Sequence, residues 1–140
     1  MLETAPQPHV LVCASMASEI APPLYGVYAA TKAAQDSVTQ ALRAELHGKA
    51  AVTSVHPIGT RSDFFDVAKR GTADGRDPIR LNTPDRLMQS PDRVARCVVR
   101  ALRKDRPPAE VWPSIPARFL AAACTAFPPL ATWGLRRMLR

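Results

Sequence analysis

Two short apolar runs separated by a long helical stretch constrain the fold of this chain more than any other feature. The segment from His9 to Ala14 is apolar and contains two valines, which is typical of a buried parallel strand. From Val27 to Leu46, apolar side chains recur at helical spacing, and Ala51 to Val55 is a second strand candidate. Strand, helix and strand in this order predict a parallel crossover unit and an α/β fold.

The chain beyond this unit predicts a further helix and a further strand. Ser90-Pro91-Asp92 combines a capping serine, a proline at the first helical position and an acid at the positive helix end, and it predicts a helix to about Lys104. Glu110 to Trp112 is a short third strand candidate. The stretch from Phe64 to Gln89 is rich in charge, glycine and proline and predicts a long loop over a ligand. We therefore expect a partial Rossmann-like parallel sheet of about three strands with flanking helices.

The last residues form a basic tail that differs from the rest of the chain. Residues 114–140 contain four arginines and no acid, and Pro128 with Pro129 divides them into two predicted helices. Neither helix has the ~20 apolar residues that a membrane span requires. Contact with a membrane surface and packing on the domain or on a partner both stay open. We expect a partial Rossmann-like domain over 1–113 and a basic amphipathic helical tail over 114–140.

Composition excludes several classes of function. The net charge of +7 attracts phosphates, nucleic acid or anionic membranes, but the chain has neither an aromatic-interleaved basic stripe nor a glycine loop followed by lysine, so we predict no nucleic-acid binding. Cys13, Cys97 and Cys124 are far apart in apolar surroundings, which predicts reduced cysteines and no metal site. Met1 to Pro8 has no long apolar run and is unlike a secretory signal. These features predict a cytoplasmic protein.

Three polar residues fall where the predicted sheet would form a ligand crevice. Tyr28 and Lys32 stand four apart in the predicted helix, so their side chains share one face. Ser15 directly follows the first strand, and ligands of parallel sheets bind at the carboxyl ends of the strands. The second strand runs into the turn 57–62 at that same edge. The sequence thus brings a hydroxyl, a phenol and an ammonium group to one place.

This arrangement resembles the short-chain dehydrogenase/reductase family over roughly Val10 to Trp112: a strand, Ser15, the segment Tyr28-Ala29-Ala30-Thr31-Lys32, a helix, a strand and Pro57. The resemblance implies an oxidoreductase that interconverts an alcohol and a carbonyl with NAD or NADP. In that family the serine orients the substrate oxygen and the tyrosine is the general acid and base. The lysine binds the nicotinamide ribose, and its charge favours the phenolate. Ser15, Tyr28 and Lys32 match these positions.

The turn after the second strand is similar to the family's Pro-Gly turn, which meets the nicotinamide amide and the phosphates. Besides Tyr28 and Lys32, the resemblance implies five cofactor-binding residues: Pro57, Ile58, Gly59, Thr60 and Ser62. Ile58 stands where the family has glycine, while Ala14 and Ser18 replace a common serine and a common glycine. No glycine-rich turn precedes Ser15, and the family's upstream asparagine is absent too. The expected cofactor site is therefore partial.

A non-catalytic interpretation stays open beside the enzymatic one. The chain could be the product of a truncated or split gene that acts as an interaction or membrane-surface module. A small parallel sheet leaves an open edge and exposed apolar surface. The expected partners are therefore a small-molecule alcohol or carbonyl, a second copy of the chain, the missing N-terminal half and, through the tail, a membrane surface.

Overall fold

The computed structural model describes residues 8–23, 25–64, 67 and 88–137 of the chain. Three strands and four α-helices lie within these ranges, with one 3-10 turn at Met16–Ser18 after the first strand. The elements are β1 His9–Cys13, α1 Gly26–Glu45, β2 Ala51–Val55, α2 Pro91–Leu102, β3 Glu110–Val111, α3 Ile115–Ala126 and α4 Pro128–Arg137. The loop predicted between Phe64 and Gln89 falls almost entirely outside the described residues.

The three strands form one parallel sheet in the order β1-β2-β3. β1 pairs with β2 from His9 opposite Ala51 to Cys13 opposite Val55. β3 pairs with the end of β2, where Val111 stands opposite Val55. The predicted α/β class, with a partial Rossmann-like parallel sheet, is confirmed.

Helix boundaries follow the local capping signals. Ser90 caps α2, because its Oγ accepts a hydrogen bond from the amide of Arg93 at 3.3 Å and Pro91 occupies the first helical position. Ser114 caps α3 in the same way, with Oγ 3.4 Å from the amide of Ala117. The predicted division of the tail at Pro128 is confirmed, while the proposed domain boundary at residues 113 and 114 stays a prediction.

The sheet is covered on both faces. On one face, Arg43 of α1 donates to the carbonyls of Val52 at 3.3 Å and Ala109 at 2.8 Å. On the other face, Val55, Val111 and Ala101 of α2 form a small apolar core. Because the two helices bury opposite faces of β2, the central strand is the most enclosed element of the sheet.

The apolar positions that predict α1 are not the ones that α1 buries. Val27 and Val38 are 83% and 59% exposed. The helix instead buries Ala29, Asp36 and Thr39. Two further side chains of α1 bond to the sheet: Lys32 donates to the carbonyl of Cys13 and Arg43 to the carbonyl of Val52. An apolar stripe of α1 consequently faces outward.

No helix in the described ranges is long and apolar enough to cross a membrane.

Stability should fall in mild acid because of His9. Burial lowers the pKa of His9 from its usual 6.5, and the imidazole Nε2 lies 2.8 Å from Thr53 Oγ1. The Thr53 hydroxyl donates its proton to the carbonyl of Pro108. In the bond between His9 and Thr53, the donor must therefore be His9 Nε2. Below the usual pKa the unfolded chain binds a proton that the folded chain resists, and the free energy of unfolding decreases as pH falls through and below about 6.5.

Urea unfolding at a series of pH values checks this expectation for His9. In His9→Gln this part of the decrease should be missing, whereas His47→Gln, which changes an exposed histidine, should keep the wild-type profile. An unchanged profile in His9→Gln would contradict the assignment.

Candidate active site

The loop after β1 and the turn after β2 are in direct contact. The amide of Met16 donates to the carbonyl of Pro57 at 2.9 Å. The contact follows from the register, because β1 and β2 are adjacent parallel strands and end level with each other at Cys13 and Val55. The convergence expected of Ser15 and the 57–62 turn is thus present at the carboxyl edge of the sheet.

The Ser15 hydroxyl accepts a hydrogen bond, and no described residue accepts its proton. The residue has an extended backbone and caps the 3-10 turn, since its Oγ accepts from the amide of Ala17 at 3.1 Å. A hydroxyl that accepts in this way still has one proton to donate. The carbonyl of Ser15 accepts from Ser18 Oγ at 2.6 Å, and this bond fixes the peptide group between Ser15 and Met16. Ser15 can therefore donate a hydrogen bond to a ligand oxygen.

Lys32 is anchored at the end of β1. Its Nζ donates to the carbonyl of Cys13 at 2.8 Å and to Gln35 Oε1 at 2.9 Å. An ammonium has three donors, so one remains for a ligand. The same nitrogen lies 5.9 Å from the centre of the Tyr28 ring, within the range of a cation–π interaction. The positive charge of Lys32 is therefore fixed at Cys13, which precedes Ser15 by two residues, and beside the ring of Tyr28.

Tyr28 is positioned by its ring rather than by its hydroxyl. The ring meets Tyr25 edge to face at 6.2 Å and Phe64 at 5.6 Å between centroids, which are ordinary aromatic contacts. Among the residues that the structure describes, none makes a hydrogen bond to the Tyr28 hydroxyl. The side chain is half-buried. The phenol can therefore exchange a proton with a ligand.

The turn after β2 is stabilised by a short parallel bridge between Thr60 and Gln89. The amide of Gln89 donates to the carbonyl of Gly59 at 2.8 Å, and the amide of Arg61 donates to the carbonyl of Gln89 at 2.9 Å. Thr60 Oγ1 donates to the carbonyl of Ile58 at 2.9 Å, so its hydroxyl can only accept from a ligand.

Ser62 lies at the exposed end of this turn. Its Oγ is 3.5 Å from the amide of Phe64, a weak local contact. The structure therefore places Pro57, Ile58, Gly59 and Thr60 at the sheet edge and leaves Ser62 farther out, in solvent.

Gln89 is a residue that sequence analysis missed. It is 4% exposed, and neither its side-chain oxygen nor its nitrogen has a hydrogen-bond partner among the residues that the structure describes. Because the two residues of a bridge share one face, the amide lies on the face of Thr60. Leaving such a group unpaired costs about 1–3 kcal/mol, so it requires an explanation. A primary amide carries both a donor and an acceptor, so it can pair with a second carboxamide.

His56 forms a second unpredicted feature, a buried polar network under Ser15. The imidazole is 1% exposed and stacks on Trp112 with centroids 4.5 Å apart. Its Nε2 is 2.9 Å from Ser54 Oγ and 3.6 Å from Asp36 Oδ1. Its Nδ1 is 3.4 Å from the carbonyl of Ser15. The network joins the serine loop to α1, the helix of Tyr28 and Lys32.

No sequence signal identifies these two residues. A glutamine before a helix cap and a histidine at a strand end are both ordinary surface residues in most proteins. Among the described residues, no three side chains of the His, Cys, Asp and Glu types come together as a metal site would require. No protein-family model and no curated protein matches the chain.

Proposed function

We propose that the chain is a nicotinamide-dependent oxidoreductase of the short-chain dehydrogenase/reductase type, which interconverts an alcohol and a carbonyl. One observation carries the proposal. The ammonium of Lys32 is fixed at the carboxyl end of β1, beside the ring of Tyr28 and next to the loop of Ser15. A phenol can transfer a proton to a substrate oxygen, a neighbouring cation favours its phenolate, and a hydroxyl donor orients that oxygen.

Each of the three side chains has a distinct role in the proposal. The Ser15 hydroxyl donates to the substrate oxygen and orients it. The Tyr28 hydroxyl gives its proton to that oxygen when a carbonyl is reduced and takes it back when an alcohol is oxidised. The charge of Lys32 favours the phenolate of Tyr28, and its remaining donor addresses a ribose hydroxyl. A nicotinamide cofactor supplies the hydride chemistry when bound.

The residues of the sheet edge would hold the nicotinamide end of NAD or NADP. In this proposal Gln89, which is bridged to Thr60, offers its amide to the carboxamide. The 140 residues contain no glycine-rich turn of the kind that receives a pyrophosphate. The cofactor site proposed for this chain is therefore the nicotinamide half, completed by an N-terminal half or by a partner.

Titration with NADH and NADPH, followed by nicotinamide fluorescence, tests the proposal. We expect saturable binding that weakens about 10- to 150-fold in Lys32→Ala, since a charge-assisted hydrogen bond contributes about 1.5–3 kcal/mol. Lys49→Ala, which removes an exposed lysine at the far end of β2, is the matched control and should bind like the wild type. Absence of saturable binding by the wild-type chain would refute a working nicotinamide site.

Gln89→Leu should change stability and binding in opposite directions. Removing the unpaired amide should raise the free energy of unfolding by about 1–3 kcal/mol. The same change should weaken NADH binding about tenfold, because the carboxamide loses its partner. Urea unfolding and the fluorescence titration measure the two effects. Gln40→Leu makes the same change at an amide that is bonded, since Gln40 donates to Asp36 at 3.0 Å, so it should lose stability and bind NADH like the wild type. A Gln89→Leu protein that loses stability, or that binds NADH normally, would contradict this role.

An interaction or membrane-surface module is the second candidate, and the tail supports it. Several large apolar side chains of the tail are more than half exposed: Ile115, Phe119, Leu120, Phe127 and Trp133. The two helices carry arginines and no acid, a combination that attracts anionic lipid. Co-sedimentation with anionic but not neutral vesicles would favour this function.

The proposed setting is a reducing, cytoplasmic one, and the proposed assembly is a homo-oligomer. Cys13, Cys97 and Cys124 are free thiols. The outward apolar stripe of α1, with Val27 and Val38, offers a surface for a second copy of the chain.

A further inference from the structure

An apolar cavity lies between the loop that follows Ser15 and the two tail helices. It has a volume of about 420 Å³, within the ~300–1,000 Å³ of small-molecule sites. Met16, Ala17 and Ile20 line one wall, and Leu120 and Cys124 of α3 line the opposite one, together with α4. Its surface is almost entirely carbon and sulfur.

We propose that this cavity receives the apolar body of the substrate, so that the substrate class is an uncharged alcohol or carbonyl with a hydrocarbon chain or ring system. The inference rests on the proposed function, because it assumes that the oxygen of the substrate lies at Ser15. It adds a substrate class, which neither the 57–62 turn nor the three residues Ser15, Tyr28 and Lys32 specify.

Continuity along the chain connects the cavity to the site. Ser15 Oγ caps the 3-10 turn by accepting from the amide of Ala17, and Met16 and Ala17 are themselves wall residues. The amide of Met16 donates to the carbonyl of Pro57, at the start of the 57–62 turn. One molecule can therefore place its oxygen at the Ser15 hydroxyl and its apolar part among the neighbouring side chains.

The chemistry of the wall selects against polar substrates. A polar substituent in this cavity would give up its hydrogen bonds to water and find almost no replacement. Each additional methylene, by contrast, should tighten binding roughly fourfold. The cavity also has an opening for entry, since Leu120 and Trp133 in its wall are 54% and 55% exposed. The guanidinium of Arg137 stacks 4.1 Å from the Trp133 ring centre and stabilises this rim.

A fluorescent probe tests occupancy without requiring turnover. The uncharged fluorophore N-phenyl-1-naphthylamine is titrated into the full chain and displaced with hexanol, octanol and decanol. Ala123→Phe places a large ring at a wall position of α3, and Ala122→Phe makes the same change at the adjacent exposed residue, outside the lining. Gly134→Leu is a second wall variant, because a Cβ at Gly134 meets no heavy atom within 4 Å. Circular dichroism verifies folding.

We expect the wild type and Ala122→Phe to bind the probe saturably and to bind longer alcohols more tightly. Ala123→Phe and Gly134→Leu should weaken uptake about tenfold or more. Any of three results would overturn the proposal. The wild type does not take up the probe saturably, all four proteins take it up equally, or the affinity for the alcohols does not rise with their chain length.

Ser15→Ala tests the link between the cavity and the site. It should weaken decanol binding about fivefold by removing the hydroxyl partner of the alcohol, while the probe, which has no hydroxyl, binds as before. Equal effects on both ligands would overturn the link. Lys32→Ala should leave probe and decanol binding intact. A failed nicotinamide titration with normal probe and decanol results would therefore count against the proposed function alone.

Discussion

Replacing Tyr28 by phenylalanine should reduce carbonyl reduction by about 10²–10⁴-fold, the usual contribution of a positioned general acid. The substitution removes one oxygen and keeps the ring, so the contacts with Tyr25 and Phe64 persist. Because no described residue bonds to the hydroxyl, the free energy of unfolding should change by less than about 0.5 kcal/mol. Loss of activity without loss of stability is the signature of a catalytic role.

The assay follows nicotinamide absorbance with NADH or NADPH and decanal, an apolar aldehyde chosen to match the cavity. Tyr25→Phe provides the matched control, since it removes a phenol oxygen one helical turn away and should retain wild-type kcat. Because Tyr28→Phe removes the proton donor and keeps the ring, the effect should fall mainly on kcat. A Tyr28→Phe protein that reduces decanal at the wild-type rate would refute the assignment.

The substitution His56→Phe should destabilise the fold by about 2–4 kcal/mol. Phenylalanine keeps the stack on Trp112, but it removes the hydrogen bond to Ser54 and leaves Asp36 buried without its imidazole partner. Asp36 retains one hydrogen bond, from Gln40 at 3.0 Å. The expected loss of stability is therefore smaller than for a buried carboxylate with no hydrogen-bond partner. Urea unfolding measures the effect.

A double-mutant cycle isolates the interaction between His56 and Asp36. The double variant His56→Phe with Asp36→Leu should be more stable than the sum of the two single effects predicts, with a coupling of about 1–3 kcal/mol. His47→Phe, at an exposed histidine, should shift stability by no more than about 0.5 kcal/mol. Strict additivity of the two single changes would show that the two side chains do not interact.

The regular elements were predictable because their signals are local. β2 has the predicted bounds, β1 ends one residue earlier than predicted, and α1 begins and ends one residue earlier than predicted. The serine and proline before α2 marked its start because a cap needs only neighbouring residues. Ser15 and the 57–62 turn were expected to meet for a similar reason. The ends of adjacent parallel strands share one edge of the sheet, so the strand order already implies their proximity.

Features that depend on packing between distant segments were not predictable. The apolar spacing of α1 identifies a helix but not the side that it buries, and Val38 faces outward because the sheet packs on the side of Asp36 and Thr39. The amide of Gln89 became significant only when burial removed its water partners. The cavity needs three separate segments at once.

The sequence by itself determined the α/β class and the parallel crossover, and it predicted a site of Ser15, Tyr28 and Lys32 at the carboxyl edge of the sheet. Periodicity, capping and the order of strands along the chain are properties of neighbouring residues, so they can be read from the sequence without knowledge of the fold. Only the tertiary structure decided that Lys32 is anchored to Cys13, that His56 supports the serine loop, and that the tail closes an apolar cavity beside Ser15. These contacts join residues far apart in the chain, and their energies depend on burial, which exists only after the elements have packed.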